Sequence, residues 1–309
     1  MKTLIRLTFA ILVAGSLLLP VTAQDKERDI FNYVAQKAAA KDVKKIVFIA
    51  DTSPHGGPGN HEFMAGAILM ARTLNAHYPN AYAVVHPHTA WPKDLSHADS
   101  VIVLLNHGGP AVNPAVKAAT ARGAGFAAIH YGVEVNKGEQ GDHYLKWIGG
   151  YFEVNWSVNP HWVADIKKIP EHEINRGVKP FTINDEWYYH MRFVEGMKGV
   201  TPILSALPAR LPDKKTSARG GNPDVYEEVK AGKEQHLAWA FVRPDGARGF
   251  GFTGYHNYIN LQNDNFRTVL LNAVAWTSKL DVPTNGVPSK TPTKTELDEL
   301  FKEALRFRK

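Results

Sequence analysis

The feature that most restricts the fold is a succession of short, β-branched apolar runs in the first half of the chain. Each run is followed by glycine or polar residues, as is typical of strands buried on both faces of a parallel sheet. Helical patterns over 61–75, with Asn60 as the expected N-cap, and over 113–122 separate these runs. Repeated strand–helix units of this length predict an α/β fold with a doubly wound, mostly parallel sheet. The predicted strands are 45–50, 81–85, 100–105 and 125–129.

The second half of the chain is less regular. A polar stretch rich in glycine and proline, 208–232, predicts a surface loop, and residues 265–278 have a helical pattern. No internal repeat occurs, so the sequence predicts a single α/β domain over 44–282, followed by a linker and a short charged helix within 283–309. Further strands are predicted at 161–166, 190–194, 201–207, 236–242 and 249–253.

The N-terminus has the pattern of a secretory signal. Lys2 and Arg6 lead into an apolar run that ends at Pro20, and small residues follow at 21–23. The run is shorter than the roughly 20 residues of a spanning helix, which favours a cleaved signal over a membrane anchor. We therefore expect residues 1–23 to be a signal peptide, residues 24–43 to form a lead-in helix, and the mature protein to be periplasmic or secreted without a membrane anchor.

Composition excludes several kinds of chemistry. The chain has no cysteine, which rules out disulfides, thiolate ligands and a cysteine nucleophile. The net charge of +6 is mild and no basic stripe occurs, so nucleic-acid binding is not expected. Neither a GxGxxG fingerprint nor a phosphate-binding loop is present, so no nucleotide cofactor is expected. The sequence leaves homo-oligomer formation open.

Histidines recur where the predicted strands end. In an open parallel sheet, ligands bind outside the carboxyl ends of the strands. A divalent ion such as Zn²⁺ or Mn²⁺ is one ligand that neutral imidazoles hold, and structural turns or buried core histidines are the alternative. The candidate metal ligands are His55, His61, His130 and His256.

Two of these histidines lie in turns of unusual composition. The glycines around His55 permit close backbone approach to a ligand, which makes Ser53 and Gly56 candidate substrate contacts; the alternative is a structural turn. His130 follows a strand at the place where hydrolases of this architecture carry a nucleophile, but no Ser or Cys stands there. His130 is therefore a candidate base or ligand, and Glu134 is expected to share its helical face.

Two further segments mix polar and aromatic residues. Asp185 and Glu186 form a carboxylate pair that could divide acid and base roles. Aromatic faces are platforms for sugar C–H groups, whereas a cap with core aromatics is the alternative. The candidate sugar-binding residues are Tyr131, Trp187, Tyr188, Tyr255 and Asn257.

Several separately unusual segments occur in order: SPHGGPGNHEFMAG, GAGFAAIHYGVE, YLKWIGGYFEVN, PFTINDEWYYHMRF, RGFGFTGYHNYIN and VLLNAVAWTSKLDVP. Together, from about residue 44 to 287, they resemble the ThuA-like family, named for trehalose utilisation. The resemblance implies a flavodoxin-like fold similar to class I glutamine amidotransferases. Those enzymes carry a cysteine at the elbow, where this chain has His130, so amidotransferase activity is not expected.

The resemblance also implies a substrate class. Members are linked to catabolism of 3-keto-glycosides such as 3-keto-trehalose, in which the ketone acidifies the C2 proton. Eliminative hydrolysis or isomerisation would then need a base, an enolate stabiliser such as a divalent metal, and an acid. His130, Glu134, Asp185 and Glu186 are the candidates for these roles. The alternatives are a non-catalytic periplasmic carbohydrate-binding or accessory protein, and a partner-binding module that uses the C-terminal helix.

Overall fold

The computed structural model describes residues 29–31, 42–53, 55–209 and 222–308. The predicted signal peptide lies outside the described residues, as does most of the predicted lead-in helix. No helix of the described ranges has the length and apolar character needed to cross a bilayer. The strands of these ranges are β1 Lys44–Ala50, β2 Ala81–Pro87, β3 Ser100–Leu104, β4 Gly125–Ile129, β5 Glu134–Val135, β6 Gly150–Glu153, β7 His161–Ile166, β8 Phe181–Glu186, β9 Arg192–Phe193, β10 Val200–Ala206, β11 Gln235–Val242 and β12 Arg248–Phe252.

The central sheet has seven strands in the order β10-β11-β12-β4-β3-β1-β2. Five consecutive strands, from β12 to β2, are parallel, and β10 and β11 extend the sheet in antiparallel fashion. Taken in chain order, the parallel strands follow the 2-1-3-4-5 order of flavodoxin-like folds. The predicted doubly wound, mostly parallel, single-domain fold is confirmed.

Helices cover both faces of this sheet. The described helices are α1 Phe63–His77, α2 Pro114–Ala121, α3 Glu139–Ile148, α4 Pro223–Lys230, α5 Asp264–Thr277 and α6 Lys294–Leu305. On one face, α1 and α5 pack against the larger apolar core, and α6 packs against α1. On the other face, α2 and α3 cover a second core that contains Phe126 and Trp147. Burial on both faces explains why β1, β3 and β4 are continuous apolar runs.

The structure corrects several local predictions. Asn60 is not the N-cap of α1, because the helix begins at Phe63, with Glu62 at the N-cap position, and Asn60 forms an isolated β-bridge with Asn257. Glu134 does not share a helical face with His130, because 130–133 form a short 3-10 turn and Glu134 begins β5. The predicted loop over 208–232 contains α4, which Asn222 caps.

Two elements near the site were not predicted as strands or helices. The sequence pattern placed Asp185 and Glu186 before a strand at 190–194, but they end β8, and only Arg192–Phe193 of that later segment is a strand. The strand β8 alternates buried and exposed residues because its hairpin with β7 lies outside the central sheet. Helix α3 was also missed, since its sequence is polar except for one buried stripe.

Candidate metal centre

Four metal-ligand side chains meet at the carboxyl end of the parallel sheet. They are His61, His130, Glu186 and His256, and one ligand atom from each lies within 4.8 Å of the others. The three histidines are buried and the glutamate is half-buried. Three imidazoles and one carboxylate are a donor set that proteins use for Zn²⁺ and related divalent ions.

Separate elements supply the four side chains. His130 directly follows β4, His256 follows the neighbouring strand β12, and His61 lies in the loop between β1 and α1. Glu186 ends β8 and reaches the centre from the β7–β8 hairpin. The parallel arrangement therefore brings three chain-distant loops to one edge, as expected for this sheet type.

The backbone around the centre adopts an uncommon conformation. His61 has φ of 52°, His130 of 53° and Tyr255, which precedes His256, of 97°. Such values lie in the left-handed region, which residues other than glycine seldom occupy. Residues held there cluster at functional sites, because surrounding structure must offset a cost of about 1–3 kcal/mol each.

The two buried imidazoles of His61 and His130 face each other. The Nδ1 of His130 donates to the carbonyl oxygen of Thr253 at 2.7 Å, and the Nδ1 of His61 donates to the carbonyl oxygen of His55. These backbone bonds leave Nε2 of each neutral ring as an acceptor, yet the two Nε2 atoms are only 2.9 Å apart. Two lone pairs at this separation need a cation or a proton between them.

A proton on His61 is disfavoured. Burial, followed by the proximity of His130, lowers the pKa of His61 to about 3. The second nitrogen of each ring is already fixed by a backbone carbonyl, which is the arrangement that orients histidines toward metal ions. The donor set and its orientation therefore fit a divalent metal.

Glu186 has only histidines as ion-pair partners among the described residues. Its Oε2 lies 3.0 Å from Nδ1 of His256, 3.3 Å from Nε2 of His130 and 4.0 Å from Nε2 of His61. Burial by itself raises the pKa of Glu186, but the adjacent imidazoles of His130 and His256 outweigh it and hold the pKa well below the usual range. Glu186 is therefore an anion at neutral pH.

Tyr188 places a phenol against the same atoms. Its Oη lies 3.3 Å from Nε2 of His130 and donates to Oε2 of Glu186 at 3.4 Å. Burial, together with the charge of Glu186, raises the pKa of Tyr188 well above its ordinary value. Tyr188 is therefore a neutral hydrogen-bond donor at the centre.

Asp185 has a different position from Glu186, its neighbour in sequence. It is fully buried, and its carboxylate accepts from the backbone amides of Glu186, Tyr255 and His256 at 2.7, 3.1 and 2.8 Å. The side chain of Asn260 donates to it at 2.7 Å. Asp185 thus joins the strand that carries Glu186 to the loop that carries His256.

A small cavity opens onto the centre. Its volume is about 130 Å³, below the several hundred Å³ of most ligand pockets. Asn159 lies at its wall and donates to Oε1 of Glu186 at 3.0 Å, while its own Oδ1 is buried with no partner among the described residues. The lining residues are His55, Gly56, His61, Tyr131, Asn159, Glu186, Tyr188 and His256.

The other candidate site residues lie elsewhere. Trp187 and Tyr255 are fully buried in the core, where Trp187 packs so tightly on Gly254, and Tyr255 on Gly66, that neither glycine has room for a Cβ. Ser53 is exposed, and its carbonyl accepts from Asn106. Asn257 faces a different cavity, and Glu134 is a buried residue of β5.

A larger cavity of about 450 Å³ lies between the 57–62 loop, the loop after β12 and α6. No histidine lines it, and its polar groups include Glu62, Lys294 and Asp298. The chemistry of the four-residue centre therefore makes the smaller cavity the better candidate site.

Two residues beside the centre were missed by the sequence analysis. Asn159 lines the cavity, and the ring of His161 packs edge-on against His256 with centroids 4.5 Å apart. Neither residue follows a predicted parallel strand. Only the return of the β7–β8 hairpin brings this region to the sheet edge, so no local signal could have identified them.

Comparison with known proteins gives one family. The family model of ThuA, described as trehalose utilisation, matches residues 57–277. No curated protein matches the chain. A crystal structure assigned as a ThuA-like protein from Bacteroides uniformis aligns with a TM-score of 0.52 and 17% identity, covering 77% of this chain and 93% of that one.

Two further solved structures align less well. A protein assigned as a GMP synthase component from Thermoplasma acidophilum has a TM-score of 0.37 at 11% identity and covers 77% of this chain and 95% of its own. PurLQS from Thermotoga maritima has a TM-score of 0.37 at 10% identity and covers 76% and 97%. The family match spans more than half of the sequence. The chain therefore belongs to the trehalose utilisation family, ThuA, whose described role is carbohydrate-related.

Proposed function

We propose that this protein is a metal-dependent enzyme that acts on 3-keto-glycosides, with its ion held by His61, His130, Glu186 and His256. The main support for a bound metal is that the Nε2 atoms of His61 and His130 lie 2.9 Å apart, each on a ring whose Nδ1 donates to a backbone carbonyl. A cation between them removes the repulsion and also neutralises the buried carboxylate. The substrate class is supported by the carbohydrate-related role of the family.

When bound, a divalent ion would act as a Lewis acid toward the oxygen of a substrate ketone. The donor set of three imidazoles and one carboxylate suits Zn²⁺ or Mn²⁺. Because the four ligand atoms come from four separate segments, metal binding would also hold those segments together.

The reaction that suits these groups begins with removal of the acidic C2 proton of the 3-keto sugar. The C2–H electron pair forms the enolate, and the C1–O bond breaks as that oxygen takes a proton. Water then adds across the new C1–C2 double bond, with its oxygen at C1 and a proton at C2, which gives net hydrolysis. Isomerisation would differ only in returning the proton to another carbon without loss of the C1 group.

The chain offers a donor and a base for these steps. Tyr188 is neutral at pH 7 and its Oη is 3.3 Å from Nε2 of His130, so it can donate to a developing oxyanion or to the leaving oxygen. His55 lines the same cavity without belonging to the four-residue centre, and its imidazole can accept the C2 proton. Asn159 has a buried Oδ1 free to accept from a sugar hydroxyl.

The cavity volume limits what can enter. At about 130 Å³, it can hold the reacting C1–C3 edge of one sugar ring but not a whole disaccharide. The leaving group must then lie outside, beyond His55 and Gly56 on the solvent side. We therefore expect tolerance toward different leaving groups and strict selection for the ketone-bearing ring.

The test is elemental analysis of the purified protein, combined with an NMR time course on a 3-keto-disaccharide with and without a chelator. We expect about one divalent ion per chain and glycosidic cleavage that chelation stops and the metal restores. Tyr188→Phe should retain the ion but slow turnover by about a hundredfold.

Two outcomes would contradict the proposal. Cleavage by metal-free protein would exclude the ion and leave acid–base chemistry to His130 and its neighbours. No cleavage with any added divalent metal, together with thermal protection by sugars, would favour a carbohydrate-binding accessory protein instead.

A further inference from the structure

The C-terminal segment, which lies beyond the 57–277 family match, returns to the outer side of the candidate metal centre. Helix α6 packs against α1, the helix that begins just after His61. A paired hydrogen bond fixes this contact, because Arg72 donates to both carboxylate oxygens of Glu303 at 2.7 and 3.0 Å. This contact fastens α6 to α1, and Arg308, which follows α6, reaches the loop that carries His61.

Arg308 joins the two ends of that loop. Its Nε donates to the carbonyl oxygen of Thr52 at 3.0 Å, and its Nη2 donates to Oε2 of Glu62 at 2.8 Å. Thr52 lies just after β1, and Glu62 is adjacent to the candidate ligand His61. One guanidinium thus bridges the start and the end of the 52–62 loop.

Glu62 connects Arg308 to the interior of the 52–62 loop. It is 4% exposed, and Arg308 is its only ion-pair partner among the described residues. Its second oxygen, Oε1, accepts from the backbone amide of Gly59 at 3.3 Å. A buried carboxylate that loses its only cation is strongly destabilised, so the position of Glu62 depends on Arg308.

The same C-terminal segment contacts the second ligand loop. The hydroxyl of Tyr258, which lies just after His256, donates to the carbonyl oxygen of Leu297 in α6 at 3.3 Å. The two ligand loops also bind each other, because the amide of His61 donates to the carbonyl of His256 and the amide of Tyr258 to that of Gly59, both at 2.9 Å. The C-terminal segment therefore packs behind a joined pair of loops.

We propose that Arg308 is a positioning residue for the metal centre: it holds the 52–62 loop so that His61 meets the other three ligands. Arg308 touches neither a candidate ligand nor the cavity. This inference rests on the proposed metal site. It assigns to the C-terminal segment a contribution to metal affinity that the family-matched residues do not supply.

The experiment compares Arg308→Gln, Arg308→Lys and the matched control Arg306→Gln in the full chain. Arg306 pairs with Glu303 and lies over the ring of Phe31, and among the described residues it makes no ion pair with either ligand loop. Zn²⁺ affinity is measured by competition with a chromophoric chelator, and amide hydrogen exchange is followed over 52–62 in metal-free protein. We expect Arg308→Gln to bind Zn²⁺ about tenfold more weakly, as is usual when an outer contact of a ligand is lost.

The remaining variants test whether Arg308 acts through Glu62. Arg308→Lys should recover part of the affinity because it keeps the charge, and Arg306→Gln should match wild type. Glu62→Gln should weaken binding, and adding Arg308→Gln to it should weaken binding no further. Faster exchange at the amides of Gly59 and His61 should accompany each loss.

The inference is overturned if Arg308→Gln binds Zn²⁺ with wild-type affinity and shows wild-type amide exchange over 52–62. An equal loss of Zn²⁺ affinity in Arg306→Gln would overturn it as well. If wild-type protein binds no Zn²⁺, the proposed metal function fails separately. Amide exchange in the metal-free protein then decides the positioning role: faster exchange confined to Arg308→Gln supports it, and unchanged exchange overturns it.

Discussion

Two clusters of histidine and carboxylate lie at opposite ends of one short segment, 185–190. The metal centre takes Glu186 and Tyr188 from this segment. A second group, here called the ion-pair cluster, takes His190 from it, and comprises Glu153, His190, Arg192 and Glu228. Both contain acids, imidazoles and nearby aromatic rings, yet their charges are balanced in different ways.

In the ion-pair cluster, each carboxylate has a permanent cation. Glu153 accepts from Nε of Arg192 at 2.8 Å, and Glu228 pairs with Lys233 as well as with His190. In the metal centre, the ion-pair partners of Glu186 among the described residues are all imidazoles. A buried carboxylate surrounded by histidines and without Lys or Arg thus retains a need for an external cation, whereas one paired with Arg or Lys is already satisfied.

The strongest test of this contrast is to neutralise one glutamate in each cluster. Glu186→Gln should lower Zn²⁺ affinity by more than about a hundredfold, since loss of even an outer contact costs about 10–100-fold. Glu228→Gln should change the affinity by less than about threefold. Competition titration measures both, and comparable losses in the two variants would remove the distinction.

The pH dependence of stability should also separate the clusters. The pKa of His61 in the folded, metal-free protein is about 3, below the ordinary 6.5, so the unfolded chain binds the proton first and stability falls as pH drops below 6.5. The loss is at most about 1.4 kcal/mol for each pH unit. His61→Asn should therefore make the unfolding free energy, measured with urea, depend less on pH between pH 6.5 and 4.5.

The ion-pair cluster should respond only in more acidic solution. Burial raises the pKa of Glu228, but hydrogen bonds from Lys233 and His190 outweigh it and lower the pKa below 4.5. Its contribution is therefore present above pH 4.5 and is lost as pH falls through the depressed value. Above pH 5, Glu228→Gln should change the pH dependence of the unfolding free energy less than His61→Asn does. Equal changes would show that the two clusters do not differ in their response to pH.

Asp185 tests whether a buried carboxylate beside the metal centre stabilises the ligand loops through hydrogen bonds. It is adjacent to Glu186 but accepts five hydrogen bonds, four from backbone amides and one from Asn260. Asp185→Asn should lower the unfolding free energy by about 2 kcal/mol, because bonds to a buried anion are strong. Urea unfolding measures this, and a loss below about 0.5 kcal/mol would show that the carboxylate does not hold these loops.

The smallest expected effect is on stability in the ion-pair cluster. Glu228 is partly exposed, so solvent screens its pairs with His190 and Lys233. Glu228→Gln should cost about 1 kcal/mol of unfolding free energy at pH 7. Urea unfolding at pH 7 measures this cost, and a loss above about 3 kcal/mol would contradict the screening of these pairs by solvent.

Much of the site could be located from the sequence because strand ends are local features. His130 directly follows one apolar strand and His256 lies in the loop after another, and the parallel fold requires such residues to share an edge. His61 could be suspected from the same pattern, although its neighbour His55 could not be separated from it. In the structure His55 supplies a carbonyl oxygen to the His61 ring instead of joining the four-residue centre.

The separate roles of the residues in the 185–190 segment could not be predicted from the sequence. Its residues read as one mixture of acids and aromatics, but Asp185 accepts backbone amides, Trp187 packs in the core and His190 joins the ion-pair cluster. A strand pattern was not recognised because the β7–β8 hairpin is amphipathic and lies outside the central sheet. Asn159 and Arg308 carried no local signal, since their contacts come from distant parts of the chain.

The α/β class, the parallel strands β1 to β4 and the edge at which polar residues collect all follow from the amino-acid pattern alone. Burial on both sheet faces leaves a continuous apolar pattern that is readable without long-range information. The tertiary fold was needed to establish that Glu186 faces three imidazoles, while its neighbour Asp185 accepts backbone hydrogen bonds. The reason is physical: which direction a side chain takes in a hairpin, and which distant loop meets it, depends on packing that no local stretch encodes.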